Sequence, residues 1–264
     1  MEQIRKMIRD GILSGDDLLD LSSYNANLFT YIHLKLPSDF HGHLSPMQEK
    51  ILDSFYNPAN RYKELLLVLG RKSGKSLLSS IILLYEVYKM LTLIKDPHDW
   101  YNVPSKKMIF FQLLASNREQ AKDISFGYIR SFAATSRYLN SMITNQTNES
   151  MNFEKDLCVQ VYNASARSVR GETTAAIIYD EIAHWIFEKS NLSSESIYKA
   201  CQPNLQALKH EGRSDGKSIL ISTPAGRSGL FYELFRTGKP EFISEEHTQE
   251  AGEQPWRACW QMPT

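Results

Sequence analysis

The sequence lacks an excess of charge of either sign. Its 30 Lys and Arg residues balance its 30 Asp and Glu residues, so the formal net charge is zero at pH 7. A chain without a global basic field is not drawn to nucleic acid by net charge, and any such contact must come from a local patch. Composition therefore gives no sign of a nucleic-acid partner.

Cysteine is scarce as well. The three cysteines, Cys158, Cys201 and Cys259, are odd in number and lie far apart in the chain. This spacing argues against a disulfide framework and against a zinc site. It favours buried, reduced thiols in a cytosolic protein.

A secretion signal is missing, because the amphipathic start Met1–Lys6 has no apolar segment of the required kind. The longest apolar stretch, Leu77–Ile94, contains Glu86 and Lys89, which makes a buried helix a better interpretation than a membrane span. The hydrophobic content of 42% is typical of a globular protein with a substantial core. We expect a soluble, cytoplasmic protein with no membrane partner.

A phosphate-binding loop is the strongest motif that is present. The apolar run Leu65–Leu69 predicts a buried strand, and the apolar segment from Leu77 predicts a helix. The loop between them has the residue types that bind nucleotide phosphates: glycine for close backbone approach, lysine for the terminal phosphates and a hydroxyl for Mg²⁺. The predicted ATP-binding residues are Gly70, Arg71, Lys72, Ser73, Gly74, Lys75 and Ser76.

This loop departs from the common pattern, because Leu69 stands where the first glycine of a standard phosphate loop is found. The alternative is a chance Gly-Lys-Ser between a strand and a helix. The motif therefore needs support from elsewhere in the chain.

Two acids provide that support. The apolar strand Ala175–Tyr179 ends in Asp180 and Glu181. At the end of a core strand, Asp180 would hold Mg²⁺ together with Ser76, and Glu181 would act as the general base that polarises the attacking water. The alternative is an acid pair that caps a helix. Because another predicted strand, Met108–Ala115, separates the loop from the acids, the set indicates a P-loop NTPase of the additional-strand, catalytic-glutamate class.

Further residues are candidates for the same site. Ser222 and Thr223 lie at the end of another predicted strand, Ser218–Ser222, and would couple hydrolysis to movement, although an ordinary turn is the alternative. Gln48 precedes the first core strand and would contact adenine through its amide, or would be a solvated surface residue. Arg170 and Arg71 are two candidates for an arginine finger, Arg170 acting on a neighbouring subunit and Arg71 on its own nucleotide.

Successive strand-then-helix units predict an α/β fold with a mainly parallel central sheet flanked by helices. We expect three segments: an N-terminal helical extension over 1–43, the P-loop ATPase core over 44–236, and a lid or linker over 237–264.

Taken together, these motifs resemble the ATPase domain of the large terminase subunit of tailed bacteriophages, a family whose phosphate loop also has an arginine and lacks the first glycine. The resemblance covers about Leu44–Phe235. It implies an ATP- and Mg²⁺-dependent motor that packages double-stranded DNA into a procapsid in the host cytoplasm. Its implied partners are the portal protein and the small terminase subunit. The implied assembly is a homo-oligomeric ring on the portal, with a monomer as the alternative for an isolated domain.

One departure from that family concerns nuclease activity. Full-length terminases continue into a nuclease domain, and this chain is too short to hold one. We therefore expect ATPase activity and no nuclease activity.

Two other functions stay open. A helicase-type translocase uses the same parts but usually needs a second motor domain, and a nucleotide-binding module that has lost hydrolysis would not need Lys75, Asp180 and Glu181 intact. DNA contacts, if present, have candidates in Lys106, Lys107, Arg213, Lys217 and Arg227.

Overall fold

A nine-stranded sheet is the centre of the molecule. The computed structural model describes residues 6–7, 10–12, 14–38, 42–164, 171–185, 193–242 and 254–261. The strands are β1 (Glu64–Val68), β2 (Ile109–Ala115), β3 (Ile143–Gln146), β4 (Ser150–Phe153), β5 (Leu157–Asn163), β6 (Thr173–Asp180), β7 (Lys209–His210), β8 (Arg213–Ser214), β9 (Lys217–Ser222), β10 (Gly238–Phe242) and β11 (Gln254–Gln261).

The strand order is β10-β11-β1-β9-β6-β2-β5-β4-β3, with β7 and β8 forming a separate hairpin. Every pair from β10 to β5 is parallel, and only the β5-β4 and β4-β3 pairs are antiparallel. The carboxyl ends of β1, β9, β6 and β2 therefore meet at one edge of the sheet. The predicted α/β fold with a mainly parallel sheet is confirmed.

Helices cover both faces of the sheet. They are α1 (Gly15–Ser23), α2 (Ala26–His33), α3 (Pro46–Tyr56), α4 (Lys75–Leu93), α5 (Pro97–Tyr101), α6 (Arg118–Asp123), α7 (Ser125–Thr135), α8 (Arg137–Ser141), α9 (Ser194–Leu205) and α10 (Gly229–Thr237). Because side chains alternate along a strand, Leu65 and Leu67 of β1 join the cluster with α3, α4 and α7, whereas Leu66 and Val68 join the cluster with α9 and α10.

Helix α4 is the one helix of the described ranges that is long and apolar enough to cross a membrane, and 78% of its apolar window is buried inside the protein. The N-terminal helices pack on it. The Phe29 ring lies 4.8 Å from that of Tyr88, and the Tyr85 hydroxyl donates to the Ser23 carbonyl. The three cysteines are buried and unbridged, as predicted from their spacing.

The segment after residue 236 differs from the expectation of a lid or linker. Its strands β10 and β11 belong to the central sheet, and β1 is paired along its whole length with residues Arg257–Gln261 of β11. The physical reason is a contact made at long range: Arg257 is buried in β11 because Glu64 of β1 accepts a hydrogen bond from its Nε at 2.6 Å. A charged residue in a short apolar run conceals such a strand from sequence patterns.

The fold class is also confirmed in its finer detail. Strand β9 lies between the loop-bearing β1 and the acid-bearing β6. The additional strand between the two motifs in the sheet is thus β9, which ends at Ser222. Strand β2, which separates the two motifs in the sequence, lies on the far side of β6.

Candidate nucleotide-binding and catalytic site

The loop between β1 and α4 is shaped by one glycine. Gly74 adopts φ 78° and ψ 19°, a left-handed conformation that favours glycine, and immediately precedes the helix. Leu69 N–H donates to the Ser222 carbonyl at 3.1 Å, which continues the β1-β9 pairing to the start of the loop. The Ser73 hydroxyl is buried without a hydrogen-bond partner among the described residues. A loop of this shape ends at the unpaired N–H groups of a helix, as anion sites require.

A cavity of about 570 Å³ opens beside this loop at the carboxyl edge of the sheet. It is bordered by the ends of four elements: the phosphate loop with the start of α4, β2, β6 and β9. Its lining comprises Arg71, Lys72, Lys75, Ser76, Ala115, Ser116, Asn117, Ala121, Ile124, Asp180, Glu181, His184 and Thr223. Predicted residues from three separate motifs therefore face one space.

Asp180 is the more deeply buried of the two acids. Burial raises the pKa of its carboxyl to about 6, although a hydrogen bond from Ser125 Oγ at 3.0 Å acts in the opposite direction. A buried carboxyl group in this state favours a nearby cation. Ser76 and Asp180 offer hydroxyl and carboxylate oxygens, the donors that Mg²⁺ prefers, so the residues present fit that ion.

Glu181 is held at both carboxylate oxygens. Its Oε1 lies 3.0 Å from Lys75 Nζ. Its Oε2 accepts hydrogen bonds from Thr223 N at 3.0 Å, Thr223 Oγ1 at 3.2 Å and Ser222 Oγ at 3.2 Å. The neighbouring position of β6 and β9 in the sheet makes this contact possible, because their carboxyl ends lie side by side.

These contacts set the charge of Glu181. Partial burial alone would raise the pKa of its carboxyl, but the Thr223 N–H and the Lys75 ammonium outweigh that effect and lower it. Glu181 is thus held as a carboxylate, the form that a general base needs. Its backbone is also unusual, with φ 52° and ψ 40°, a conformation that costs a residue with a side chain about 1–3 kcal/mol.

Gln48 lies in the first turn of α3. It is buried, and it forms a reciprocal cap in which its Oε1 accepts from Ser45 N–H at 2.9 Å. The alternative of a solvated surface residue is therefore wrong. Gln48 is not part of the lining of the 570 Å³ cavity, and its adenine contact stays a prediction.

The two arginine-finger candidates differ in what the structure says of them. Arg71 is exposed and lines the cavity. Arg170 lies outside the described residues. The role of each as a finger stays a prediction.

Lys217, a candidate DNA contact, directs its amine toward the interior of the protein. Its Nζ donates to the Tyr62 carbonyl and lies 5.3 Å from the centre of the Phe55 ring. Burial lowers the pKa of this amine to about 8. An ammonium group enclosed in this way does not reach a phosphate, so Lys217 is removed from the set of DNA candidates.

His184 is a site residue that the motifs did not predict. It ends the short 3₁₀ turn Ile182–His184 after β6, and its Nε2 lies 2.7 Å from Thr223 Oγ1. A single histidine has no distinctive pattern in the sequence. The available signal was its spacing, because it lies three positions after Glu181 and one helical turn brings such residues together.

The fold and the site define a P-loop NTPase of the additional-strand class. A family model described as "Uncharacterized protein MJ0330, N-terminal P-loop domain" matches residues 24–255, and the chain belongs to this family. No match was found among curated proteins.

Solved structures of bacteriophage large terminases share the fold. The ATPase domain of the Thermus phage P74-26 large terminase is 19% identical, with a TM-score of 0.54 over 86% of this chain and 85% of that one. The HK97 bacteriophage large terminase is 16% identical, with a TM-score of 0.60 over 90% of this chain. The chain spans 43% of the length of that terminase.

Proposed function

We propose that the protein hydrolyses ATP and uses the energy to translocate double-stranded DNA, as a motor of the large terminase type. The observation that carries the proposal is the contact set of Glu181. A carboxylate paired with the phosphate-loop lysine and anchored by the end of β9 is a general base already directed at the nucleotide site. The shared fold with terminase ATPase domains supports the motor function.

The two carboxylate oxygens of Glu181 have different roles in this mechanism. When ATP binds, its terminal phosphates attract the Lys75 ammonium away from Oε1. Oε1 is then available to accept a proton from the attacking water, while the Ser222 and Thr223 donors continue to hold Oε2. Hydrolysis of this kind depends mainly on positioning and on charge stabilisation.

Ser76 and Asp180 would hold Mg²⁺, which neutralises charge on the phosphates when it is bound. Other residues of this chain hold Asp180 in position. The Ser125 hydroxyl orients its carboxylate from α7, and the Trp185 indole N–H donates to its carbonyl at 2.8 Å. Both contacts fix the end of β6 at the edge of the cavity.

Coupling of hydrolysis to movement would pass through Thr223. It touches Glu181 and is followed by the loop 224–228 and by α10. A change in the hydrogen bonds of Glu181 therefore acts directly on a segment that leads away from the site. We infer that Gln48 contacts adenine, that Arg71 acts in its own subunit, and that Arg170 acts on a neighbour in a ring on the portal.

The DNA part of the proposal has its own test. Lys106, Lys107, Arg213 and Arg227 are exposed. If they bind DNA phosphates, DNA should stimulate ATP turnover and the stimulation should decrease steeply as salt is raised. Stimulation that is absent at low salt would limit the proposal to ATP hydrolysis without translocation.

The hydrolysis part is tested by Glu181→Gln, which keeps the shape of the side chain and removes its basicity. We expect turnover to fall by about 10²- to 10⁴-fold while ATP still binds. Glu195→Gln is the matched control, since Glu195 is another lysine-paired glutamate but is exposed and outside the cavity. Equal turnover of the wild type and Glu181→Gln would contradict the assignment of Glu181 as the general base.

A further inference from the structure

The Thr223 hydroxyl has two neighbours that compete for its single hydrogen. One is Glu181 Oε2, at 3.2 Å, and the other is His184 Nε2, at 2.7 Å. A hydroxyl donates once and accepts at its lone pairs. If His184 Nε2 bears a hydrogen, it donates to Thr223 Oγ1, and the hydroxyl is then directed at Glu181. If Nε2 is bare, the hydroxyl turns toward the imidazole and leaves the carboxylate.

The position of His184 is well defined by its short turn. Its backbone N–H donates to the Glu181 carbonyl at 2.9 Å, and the next residue, Trp185, is tied to the Asp180 carbonyl. The imidazole is nevertheless half-exposed and lines the cavity. Its ring nitrogen lies 4.0 Å from Glu181 Oε2, beyond hydrogen-bond distance, so the hydrogen-bonded path from the imidazole to the carboxylate runs through Thr223.

We propose that His184 is a positioning residue that, by donating from Nε2 to Thr223, directs the threonine hydroxyl onto Glu181 and fixes the general base. The order of donation is His184 Nε2–H to Thr223 Oγ1, then Thr223 Oγ1–H to Glu181 Oε2. This inference rests on the proposed ATPase function and adds to it a residue that orients the base through Thr223.

The test begins with two substitutions of His184 in the full chain. His184→Gln retains an N–H donor, whereas His184→Phe retains a flat ring and has none. We expect His184→Phe to lower kcat by about tenfold with little change in the KM for ATP, because a charge-directed hydrogen bond that orients the base is lost. His184→Gln should restore most of the rate. Equal losses for both variants, or a loss confined to KM, would overturn the inference.

A double substitution shows whether His184 acts through the threonine. Thr223→Val removes the hydroxyl and keeps the backbone N–H that also binds Glu181. If the relay is correct, adding His184→Phe to Thr223→Val lowers kcat no further, because the intermediate is already missing. If the losses of kcat in the two single variants multiply in the double variant, the two residues act separately and the relay is overturned.

The outcomes separate this inference from the proposed function. A wild-type protein that binds ATP without hydrolysing it would remove the ATPase proposal. A wild-type protein that hydrolyses ATP and a His184→Phe variant that is equally fast would leave the ATPase proposal intact and remove the role of His184. Thermal unfolding of each variant at the wild-type temperature would exclude loss of folding as the cause of a lower rate.

Discussion

Two of the cation–carboxylate pairs among the described residues differ in how completely they are enclosed. Arg257 and Glu64 are both 7% exposed and join β11 to β1. Lys75 and Glu181 are 11% and 34% exposed and face the cavity. The first pair is almost fully shielded from solvent, and the second faces the cavity beside the phosphate loop, where a ligand could take the place of either partner.

The chemistry of the two cations matches this difference. The Arg257 guanidinium also donates to the Leu234 carbonyl and to Thr237 Oγ1, so its fork is held by several acceptors at once. The Tyr198 hydroxyl donates to the other oxygen of Glu64. Lysine, by contrast, is a point charge on a flexible stem that moves readily to a new partner. The enclosed pair therefore stabilises the sheet, and the open pair is available for function.

The largest expected effect comes from removing one carboxylate charge from each pair. Glu64→Gln leaves Arg257 buried and unpaired, so we expect the free energy of unfolding to fall by about 3–5 kcal/mol. Glu181→Gln should change it by less than about 1 kcal/mol, because Glu181 is 34% exposed and the pair lies at an open cavity. Urea denaturation followed by circular dichroism measures both values.

The control for this pair of substitutions is the double variant Glu64→Leu with Arg257→Met. It removes both charges, and we expect it to be more stable than Glu64→Gln alone, since no unpaired charge is left in the sheet. Equal losses of stability for Glu64→Gln and Glu181→Gln would break the distinction between the two pairs.

A smaller effect is expected from Lys217, a half-buried lysine whose amine donates to a carbonyl in place of a carboxylate. Its folded-state pKa is about 8, against an ordinary value of 10.5, because burial disfavours the charge, while Glu86 and Asp215 favour it and Lys89 and Lys63 oppose it. The unfolded chain binds the proton more tightly. The destabilisation is therefore complete below about pH 8 and disappears above pH 10.5.

We expect the stability of the wild type relative to Lys217→Met to rise by about 2–3 kcal/mol between pH 7.5 and pH 10, as about 1.4 kcal/mol per unit of pKa requires. Denaturation curves of both proteins across this range measure the difference. Lys199→Met, at an exposed lysine, provides the control and should show no such trend. A flat difference for Lys217→Met would mean that the amine is not buried as a charge.

The smallest effect is expected at Gln48, which belongs to neither pair. Two substitutions separate helix capping by its amide from the predicted contact with adenine. Gln48→Glu keeps the oxygen that accepts from Ser45 and loses the amide N–H, whereas Gln48→Ala loses both. We expect Gln48→Ala to cost about 1 kcal/mol of stability and Gln48→Glu much less.

Binding of ATP then distinguishes the adenine contact from capping alone. If Gln48 contacts adenine, both variants should raise the KM for ATP. An unchanged KM in Gln48→Glu would leave capping as the only role of this residue.

The elements that the sequence predicts well are those whose pattern is local. The strand, loop and helix around Gly74, and the apolar strand that ends at Asp180, each have their signal within about fifteen residues, and both are present. The fold class follows because such units repeat along the chain. Sequence order also places Ser222 at the end of a core strand, which is where it lies.

The elements that the sequence does not predict depend on partners far along the chain. Strand β11 has Arg257 in its interior, and only Glu64, 193 residues away, makes that arginine a core residue. The enclosed position of Lys217 likewise depends on Phe55 and on the Tyr62 carbonyl. The His184 contact depends on β9 lying beside β6. These contacts are set by tertiary packing, which a one-dimensional pattern does not record.

The pairing of β11 with β1 has a consequence for biosynthesis. At the usual translation speed of about 5–20 residues per second, β11 is translated roughly 10 to 40 s after β1, the strand that precedes the phosphate loop. During that interval the nascent chain presents a bare, apolar strand edge to the cell, a surface prone to aggregation. The strand that begins the nucleotide site is therefore translated well before the strand that covers its outer edge.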